Sequence, residues 1–450
     1  MSYSPLLRLP PETLDDILSL LNQTSLNNLS QACRALQQLV EPWLYHTVLI
    51  QNGRDKLFTS AIDNKPARAE YVQELQIHYH EDVEDEEDYY PLCAQALSPT
   101  IRQLQNLKSL IVKGLDEDNF PLSFEPSIDK SARFQNLFLE AAMPQSSVLQ
   151  SLRTCMFHAH CAIAMMRSIY TDECEGILNL HEQQTWELAD LDAIFIHPTL
   201  QHLTIVNGRM ASFTSFDPAR VRSTDLQELT LIACDIKPAQ LHKILSMPKA
   251  LRSFTAKGSA WLGRSVSGED RAASLESLRM HASSLVSMDL DFFLGDGQMP
   301  QEPLVMVDFT VLQQLAIPLW ILRGHIEQGI VRQERLLPRW LKELTLKCAG
   351  QHTELESYYL EPVFEWRQHG ALPILEKLSL EVTAPVPNVP DAGWWGFWEG
   401  LTVREAFEVE AFVKLSMVEE AAGGYVPFEC ECCWYNYRNR GWGTATTGLY

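Results

Sequence analysis

The hydrophobic residues near the start of the chain are spaced as on one face of an α-helix. Residues 6–21 read "LLRLPPETLDDILSLL", and apolar positions after the proline pair recur at i, i+3, i+4 and i+7. These positions are Leu14, Ile17, Leu18 and Leu21. Pro11 suits the first helical position, and Glu12 favours the positive end of the helix dipole. The pattern therefore predicts a short amphipathic helix.

A second helical stripe follows a polar break at residues 22–25. Ser25 is the expected N-cap, and the apolar face comprises Leu26, Leu29, Cys33, Leu36 and Val40. We expect Pro42 to end this helix and to begin a short helical turn, before a strand at residues 47–50. Three short helices are at the limit of independent stability. Their apolar surface is therefore either buried against the rest of the chain or kept for a partner.

A six-residue pattern then recurs along the chain: apolar, two mostly polar residues, apolar, any residue, apolar. Its ten copies start at residues 72, 107, 134, 200, 226, 251, 275, 312, 341 and 375, with a weaker one at 149. The starts at 200, 226, 251 and 275 are nearly evenly spaced. The six-residue pattern and the spacing of its copies fit a leucine-rich repeat, in which each copy forms one strand of a parallel stack. The sequence predicts an irregular α/β solenoid, shaped as a horseshoe, over residues 51–390.

Strand alternation divides each repeat between the core and an exposed face. In residues 200–205, Leu203 and Ile205 are expected to point into the core, which leaves the intervening residues on the concave face. Solenoids usually bind partners there. The same alternation also places Ser277 and His281 on this face. The candidate target-binding residues are His202, Thr204, Glu228, Thr230, Thr255, Arg279 and Thr345.

The last part of the chain, residues 391–450, changes character. It is rich in glycine and aromatic residues, and a terminal solenoid unit needs an atypical cap over its open core. We predict a cap over residues 391–436, followed by a disordered tail. The alternative is a binding pocket formed by Trp394, Trp395, Phe397 and Trp398.

The net charge of −22 limits the partners of the chain. It argues against nucleic acid, because that binding depends on Lys and Arg that neutralise phosphates, and against an anionic membrane surface. The acidic run at residues 81–88 is expected to be a solvated loop, or alternatively a docking site for a basic segment. The start lacks the features of a secretory signal, and the ten cysteines follow no regular frame. We therefore expect reduced thiols and a cytoplasmic or nuclear location.

Candidate catalytic and metal-binding residues are sparse. His78 and His80 share one side of a strand without a second ligand pair, and the histidines of residues 158–161 are similarly incomplete. The cysteines of "CECC", residues 430–433, lack the paired spacing of a zinc site. Nucleotide-binding loops and the nucleophile-elbow motif are absent from the sequence. We expect a protein that is not an enzyme and that needs no cofactor or metal.

The opening segment resembles an F-box. The family has a Leu-Pro pair, a helix with spaced leucines, a stretch of the form Leu-x-x-Leu-x-x-x-Cys-Arg, and a final aromatic-leucine turn. In this chain those features are Leu9–Pro10, Leu14 with Ile17 and Leu18, Leu26 with Leu29 and Cys33–Arg34, and Trp43–Leu44–Tyr45. Together with the repeats, the segment is similar to fungal F-box proteins that carry degenerate leucine-rich repeats.

The resemblance implies a role in ubiquitin ligation. An F-box at residues 1–50 would bind the Skp adaptor of a cullin–RING ligase, and the repeats would hold a protein target for ubiquitylation. The adaptor contacts implied by position are Leu9, Pro10, Leu14, Ile17, Leu18, Leu26, Leu29 and Leu36. The alternative is a leucine-rich-repeat scaffold or inhibitor without a ligase role, in which the N-terminal helices only cap the repeats.

Overall fold

The computed structural model describes fourteen parts of the chain: residues 9–51, 54–78, 97–113, 131–158, 186–188, 191–232, 234–257, 273, 276–290, 305–318, 337–349, 370, 372–385 and 410–418. The acidic run at 81–88, the aromatic residues 394–398 and the cysteines at 430–433 lie outside them. The chain divides into two compact units, one formed by residues 1–158 with 190–203 and the other by residues 159–189 with 204–450.

The described helices and strands alternate between residues 47 and 158, and most of the described elements after residue 158 are strands. The helices are α1 (Pro11–Ser19), α2 (Gln23–Ala32), α3 (Arg34–His46), α4 (Asp55–Asn64), α5 (Leu97–Gln103), α6 (Ser131–Ala141) and α7 (Pro238–Ser246). The first strands are β1 (Thr47–Gln51), β2 (Glu74–His78), β3 (Ser109–Lys113), β4 (Thr154–His158), β5 (Trp186–Glu187), β6 (His202–Val206), β7 (Gly208–Met210) and β8 (Glu228–Ile232). The later strands are β9 (Asp235–Ile236), β10 (Ser253–Lys257), β11 (Ser287–Leu290), β12 (Gln314–Pro318), β13 (Glu343–Ala349), β14 (Lys377–Pro385) and β15 (Glu410–Val418).

The N-terminal helices differ in their boundaries from the sequence prediction. Asn22, rather than Ser25, caps α2, and its side chain accepts a hydrogen bond from the Ser25 amide at 2.8 Å. The stripe predicted as one helix is two, because Cys33 is extended with φ −166° and ψ 161°. Pro42 lies inside α3 and does not end it. A proline there removes one backbone hydrogen bond, and the helix still continues to His46.

The first unit contains a parallel ladder that starts directly after these helices. Strands β1 to β4 pair in chain order and all in parallel. Alternate residues are buried, as in Leu75 and Ile77 of β2 and Leu110 and Val112 of β3. The predicted strand at residues 47–50 is confirmed as β1. Parallel pairing needs a crossover between strands, and α4 and α5 lie in the connections that follow β1 and β2.

The second unit contains a longer parallel sheet. Seven of its described strands, β8 and β10 to β15, pair in chain order and in parallel. The short strands β5, β7 and β9 form a separate three-stranded sheet. Strand β15 falls in the region predicted as a cap, and there it pairs with β14 over nine residues. The N-terminal helices are thus followed by an α/β region with a long parallel sheet.

The prediction of a strand at residues 134–139 is wrong, because these residues belong to α6. Phe134, Leu137, Phe138 and Ala141 are all buried, and they are spaced at i, i+3, i+4 and i+7. The ring of Phe134 packs edge-to-face on Phe157 of β4, with ring centroids 5.2 Å apart. The strand pattern and the helical pattern share Phe134 and Leu137, and packing on β4 favours the helix.

The prediction of a strand at residues 275–280 is also wrong. Residues 276–279 are helical, and the Ser277 hydroxyl donates to the Ala273 carbonyl one turn earlier, at 2.8 Å. Ser277 and His281 are buried and do not lie on an exposed strand face. The strand of this repeat is β11, whose register pairs Met288 with Phe254 of β10. The even spacing of the starts at 200, 226 and 251 does not continue through this repeat.

Buried polar contacts close the turns after two of the strands. The Cys234 thiol contacts the carbonyl oxygens of Ile205 and Ile232 at 3.4 and 3.3 Å. The Asn207 amide donates to the same Ile232 carbonyl at 2.9 Å, and Asn207 has a φ of 57°. Burial raises the pKa of the Cys234 thiol to about 12, which keeps it protonated.

His197 makes the first unit sensitive to acid. The side chain is 1% exposed, and its ring centroid lies 6.0 Å from that of Phe138. Burial, together with the positive charge of Arg153, lowers the pKa of His197 to about 4. The unfolded chain, whose histidine titrates near 6.5, therefore binds a proton more readily than the folded chain.

We predict that the first unit loses about 2 kcal/mol of stability between pH 7 and pH 5 through His197. The loss starts as the pH falls below the unfolded pKa of about 6.5, and it stops below the folded value. Urea unfolding of the intact chain and of His197→Leu at both pH values measures the difference. An equal pH dependence in the variant, or an NMR titration of His197 near pH 6.5, would contradict the prediction.

Candidate protein-docking surfaces

The three N-terminal helices share a small core. Leu18, Leu26 and Val40 are buried together, one from each helix. The partly buried residues that pack on them are Leu21, Leu29, Leu39, Trp43 and Leu44. The Gln23 side-chain amide also donates to the Leu44 carbonyl at 2.8 Å, which ties α2 to α3. The apolar face of α1 is therefore covered in part by the chain itself.

The eight residues implied as adaptor contacts divide into two groups. Four are buried within the chain: Leu14, Leu18, Leu26 and Leu36. In this conformation they support the helices and do not present a side chain to a partner. Leu9, Ile17 and Leu29 are partly exposed, and Pro10 is exposed. Only these four can contribute directly to a docking surface.

The exposed apolar residue Leu20 is not among the contacts predicted from the sequence. It directly follows α1 and is 85% exposed. The signal was available, because Leu20 lies off the i, i+3, i+4, i+7 stripe that the helix buries. A leucine off the stripe must face solvent or a partner. Leu20 therefore joins Leu9, Pro10, Ile17 and Leu29 as a candidate docking residue.

A buried carboxylate fastens α3 to the segment that follows it. The Arg68 Nε–H donates to Glu41 at 2.7 Å, and the Lys65 ammonium group pairs with the other Glu41 oxygen. Arg68 also donates to the Ala61 carbonyl at 3.0 Å, and its guanidinium lies 5.0 Å from the centroid of the Tyr45 ring. Burial raises the pKa of Glu41, but hydrogen bonds from Lys65 and Arg68 outweigh it and lower that pKa below its usual value.

The second candidate surface is the exposed face of the long parallel sheet. Its register places Thr230 beside Thr255, and Thr345 beside Ala316 of β12. Glu228 lies in the neighbouring row, paired with Ser253. The structure thus brings together four of the predicted residues on one sheet. His202 and Thr204 lie on β6, where alternate residues Leu203 and Ile205 are buried as expected.

Arg279 does not lie on this face, and its predicted strand position is wrong. It belongs to the helical residues 276–279, where it pairs with Glu276 at 2.6 Å and approaches Asp308 to 3.8 Å. Its neighbour His281 is buried, with Nε2 2.6 Å from the Leu245 carbonyl. Because the strand was placed in the wrong segment, the sequence analysis missed Asp289 of β11, which does lie on the exposed face.

The described residues contain no cluster of three or more His, Cys, Asp or Glu side chains that could hold a metal ion. No helix within the described ranges is both long and apolar enough to cross a membrane.

Comparison with known proteins bears on the first of the two surfaces. A family model described as F-box-like matches residues 6–51, which span α1, α2, α3 and β1. No curated protein matches the chain. Among solved structures, a protein from Bacteroides fragilis is similar at 10% identity over 80% of this chain and 70% of its own, with a TM-score of 0.31. A similarity of that size carries no argument about function.

We predict that Glu41→Gln lowers the free energy of unfolding at pH 7 by about 1–3 kcal/mol, because two cationic groups lose their shared charged partner. The difference from the unaltered chain should shrink as the pH falls through the lowered pKa of Glu41, since the native carboxyl is then neutral as well. Urea unfolding at several pH values measures this.

The matched control for this substitution is Glu140→Gln. Its ion pair with Arg102 has the same 2.7 Å distance, but the two side chains are 40% and 36% exposed. Exposed pairs contribute about 0–1 kcal/mol. An effect of Glu41→Gln no larger than that of Glu140→Gln would refute the anchoring role.

Proposed function

We propose that the chain is the substrate-recognition subunit of a cullin–RING ubiquitin ligase. F-box domains generally bind Skp-type adaptors, and the F-box-like match to residues 6–51 carries this proposal. In the proposed complex the N-terminal helices bind the adaptor and the exposed face of the parallel sheet binds a protein target. The chain would contribute proximity between the target and the conjugating enzyme, not a catalytic residue.

The exposed apolar residues at the start of the chain support this docking role. Leu9, Pro10, Ile17 and Leu20 lie in or beside α1, and the helix is held beneath them by buried Leu14 and Leu18. An exposed apolar surface on an ordered helix is typical of an interface. The proposed contacts are therefore Leu9, Pro10, Ile17, Leu20 and Leu29, with the buried leucines as their support.

We also propose that the repeats form an irregular leucine-rich-repeat solenoid. Parallel pairing in chain order and one buried pattern in each repeat support it. The target would bind on the exposed row that contains Thr230, Thr255 and Thr345. Such a row offers hydroxyl groups on several strands of one sheet, which suits an extended partner segment.

One observation favours the alternative, a repeat-protein scaffold or inhibitor without a ligase. Leu14, Leu18, Leu26 and Leu36 are buried in the chain, as expected if the helices only cap the repeats. The exposed apolar residues around α1 distinguish the two functions. An adaptor would cover them, whereas helices that only cap the repeats would leave them in solvent.

The test is co-purification of the intact chain with a Skp-type adaptor, compared with the variant Leu9→Ala, Pro10→Ala, Ile17→Ala. These residues are exposed or partly exposed, so the variant should fold, which circular dichroism checks. We predict stoichiometric binding by the intact chain and a loss of at least about tenfold in affinity for the variant, equivalent to about 1.4 kcal/mol.

The matched control is Leu57→Ala, which truncates an apolar side chain that is 69% exposed on α4, outside the matched segment. It should leave adaptor binding unchanged. Deletion of residues 1–50 is a poorer test, because it removes nearly all of β1 and exposes the edge of β2. Absence of adaptor binding by the intact, folded chain would reject the ligase role and leave the scaffold.

A further inference from the structure

Helix α1 has a second face beside the one that the chain buries. Residues 13, 16, 17 and 20 are spaced at i, i+3, i+4 and i+7, which is the spacing of residues on one side of a helix. Leu20 directly follows α1 and keeps helical backbone angles, with φ −86° and ψ −10°. We call this second face the docking face of α1, and it consists of Thr13, Asp16, Ile17 and Leu20.

The docking face combines two apolar side chains with one carboxylate. Leu20 is 85% exposed and Ile17 is partly exposed. On the other face of the helix, Leu14 and Leu18 are buried. Asp16 is exposed as well, and it directly precedes Ile17 and lies one helical turn before Leu20. A partner that covers Ile17 and Leu20 therefore also removes water from the Asp16 carboxylate.

The chain itself supplies no counter-charge to this carboxylate in the part that the structure describes. The hydrogen bond that involves Asp16 uses its main-chain carbonyl, which accepts from the Ser19 hydroxyl at 2.7 Å. The sequence Pro11–Ser19 contains Glu12, Asp15 and Asp16 but no Lys, Arg or His. Glu12 lies one turn before Asp16, and two like charges at that spacing repel each other. The negative charge of Asp16 is therefore not balanced within α1.

Hydration compensates the Asp16 charge while the docking face is exposed to solvent. A partner that covers the face removes this water, and a charge that loses its hydration without gaining a counter-charge weakens the complex. A basic side chain prevents that loss, because it supplies both a hydrogen-bond donor and the opposite charge. The arrangement of residues on α1 thus sets a requirement on the surface that binds it.

We propose that the partner of the docking face carries a Lys or Arg side chain opposite Asp16, beside the apolar surface that receives Ile17 and Leu20. The proposal deepens the adaptor-binding role proposed above and rests on it. Asp16 then helps to select the partner, since a purely apolar surface would leave its carboxylate without a counter-charge. The net charge of −22 on the whole chain acts in the same direction, because it attracts a basic surface.

The experiment measures the affinity of the Skp-type adaptor for the intact chain and for Asp16→Asn at low and at high salt. We expect the substitution to weaken binding about fivefold at low salt, which is the effect of one accessible ion pair. The difference should shrink at high salt, because salt screens an ion pair at the margin of an interface. The free energy of unfolding should not fall, since Asp16→Asn also removes the repulsion with Glu12.

The matched control is Asp15→Asn, the same substitution one residue earlier on the same helix. Asp15 is also exposed, but a rotation of about 100° about the helix axis separates it from Asp16 and places it off the docking face. Asp15 is closer to the positive end of the helix dipole, so a purely structural effect would be at least as large for Asp15→Asn as for Asp16→Asn. We expect Asp15→Asn to change the adaptor affinity by no more than about twofold.

Salt-sensitive weakening by Asp16→Asn, without a loss of stability and with little effect of Asp15→Asn, would support the proposal. Equal effects of the two substitutions would overturn it, because the loss would then come from the helix and not from a contact. Unchanged or stronger binding by Asp16→Asn would also overturn it, and would leave the proposed ligase role intact. Absence of adaptor binding by the intact, folded chain would reject both.

Discussion

One repeated backbone contact determines the register of the parallel strands. At eight of the described repeats, the carbonyl directly after the first buried residue accepts two amides from the next repeat. The Gln73 carbonyl accepts from Lys108 and Ser109 at 2.7 and 3.0 Å, and the Arg252 carbonyl accepts from Val286 and Ser287 at 2.8 and 3.0 Å. Because only main-chain atoms take part, this contact does not depend on which side chain stands at the position. The buried residues of successive repeats are thereby held side by side.

Because buried residues and main-chain contacts hold the sheet together, the side chains on its exposed face can differ from strand to strand. The fold depends on the buried positions and on the shared carbonyl, so the outward positions are free to vary. The segments between strands vary in length as well, since loop length affects stability only slowly. Charged groups from distant parts of the sequence can therefore meet on the face. Asp289 and Lys347 are 58 residues apart and yet form an ion pair.

The sequence predicted the strands where the repeat pattern had no helical competitor, as at β2, β8 and β13. It failed at residues 134–139, because the same apolar residues also fit a helix and only packing on Phe157 decides between them. It failed at β11 because Met288 and Leu290 match the pattern outside the expected spacing. For the target-binding surface, the alternation of buried and exposed residues along each strand predicts which residues face outward, but not which of them lie side by side. The ion pair between Lys347 of β13 and Asp289 of β11 depends on which strands are neighbours, and a pattern along the chain does not contain that information.

The N-terminal helices show a second limit of sequence patterns, which has a consequence for function. A stripe such as Leu14 and Leu18 shows which side of a helix is apolar, but not whether the chain or a partner covers it. Here the chain covers most of the stripe, and Glu41 fixes α3 to Lys65 and Arg68. In the proposed receptor role this anchor would matter, because proximity is useful only when the helices that bind the adaptor keep their place beside the first strands. The burial of Leu14 and Leu18 leaves few exposed apolar residues on α1, but it also packs that helix against the chain that carries them.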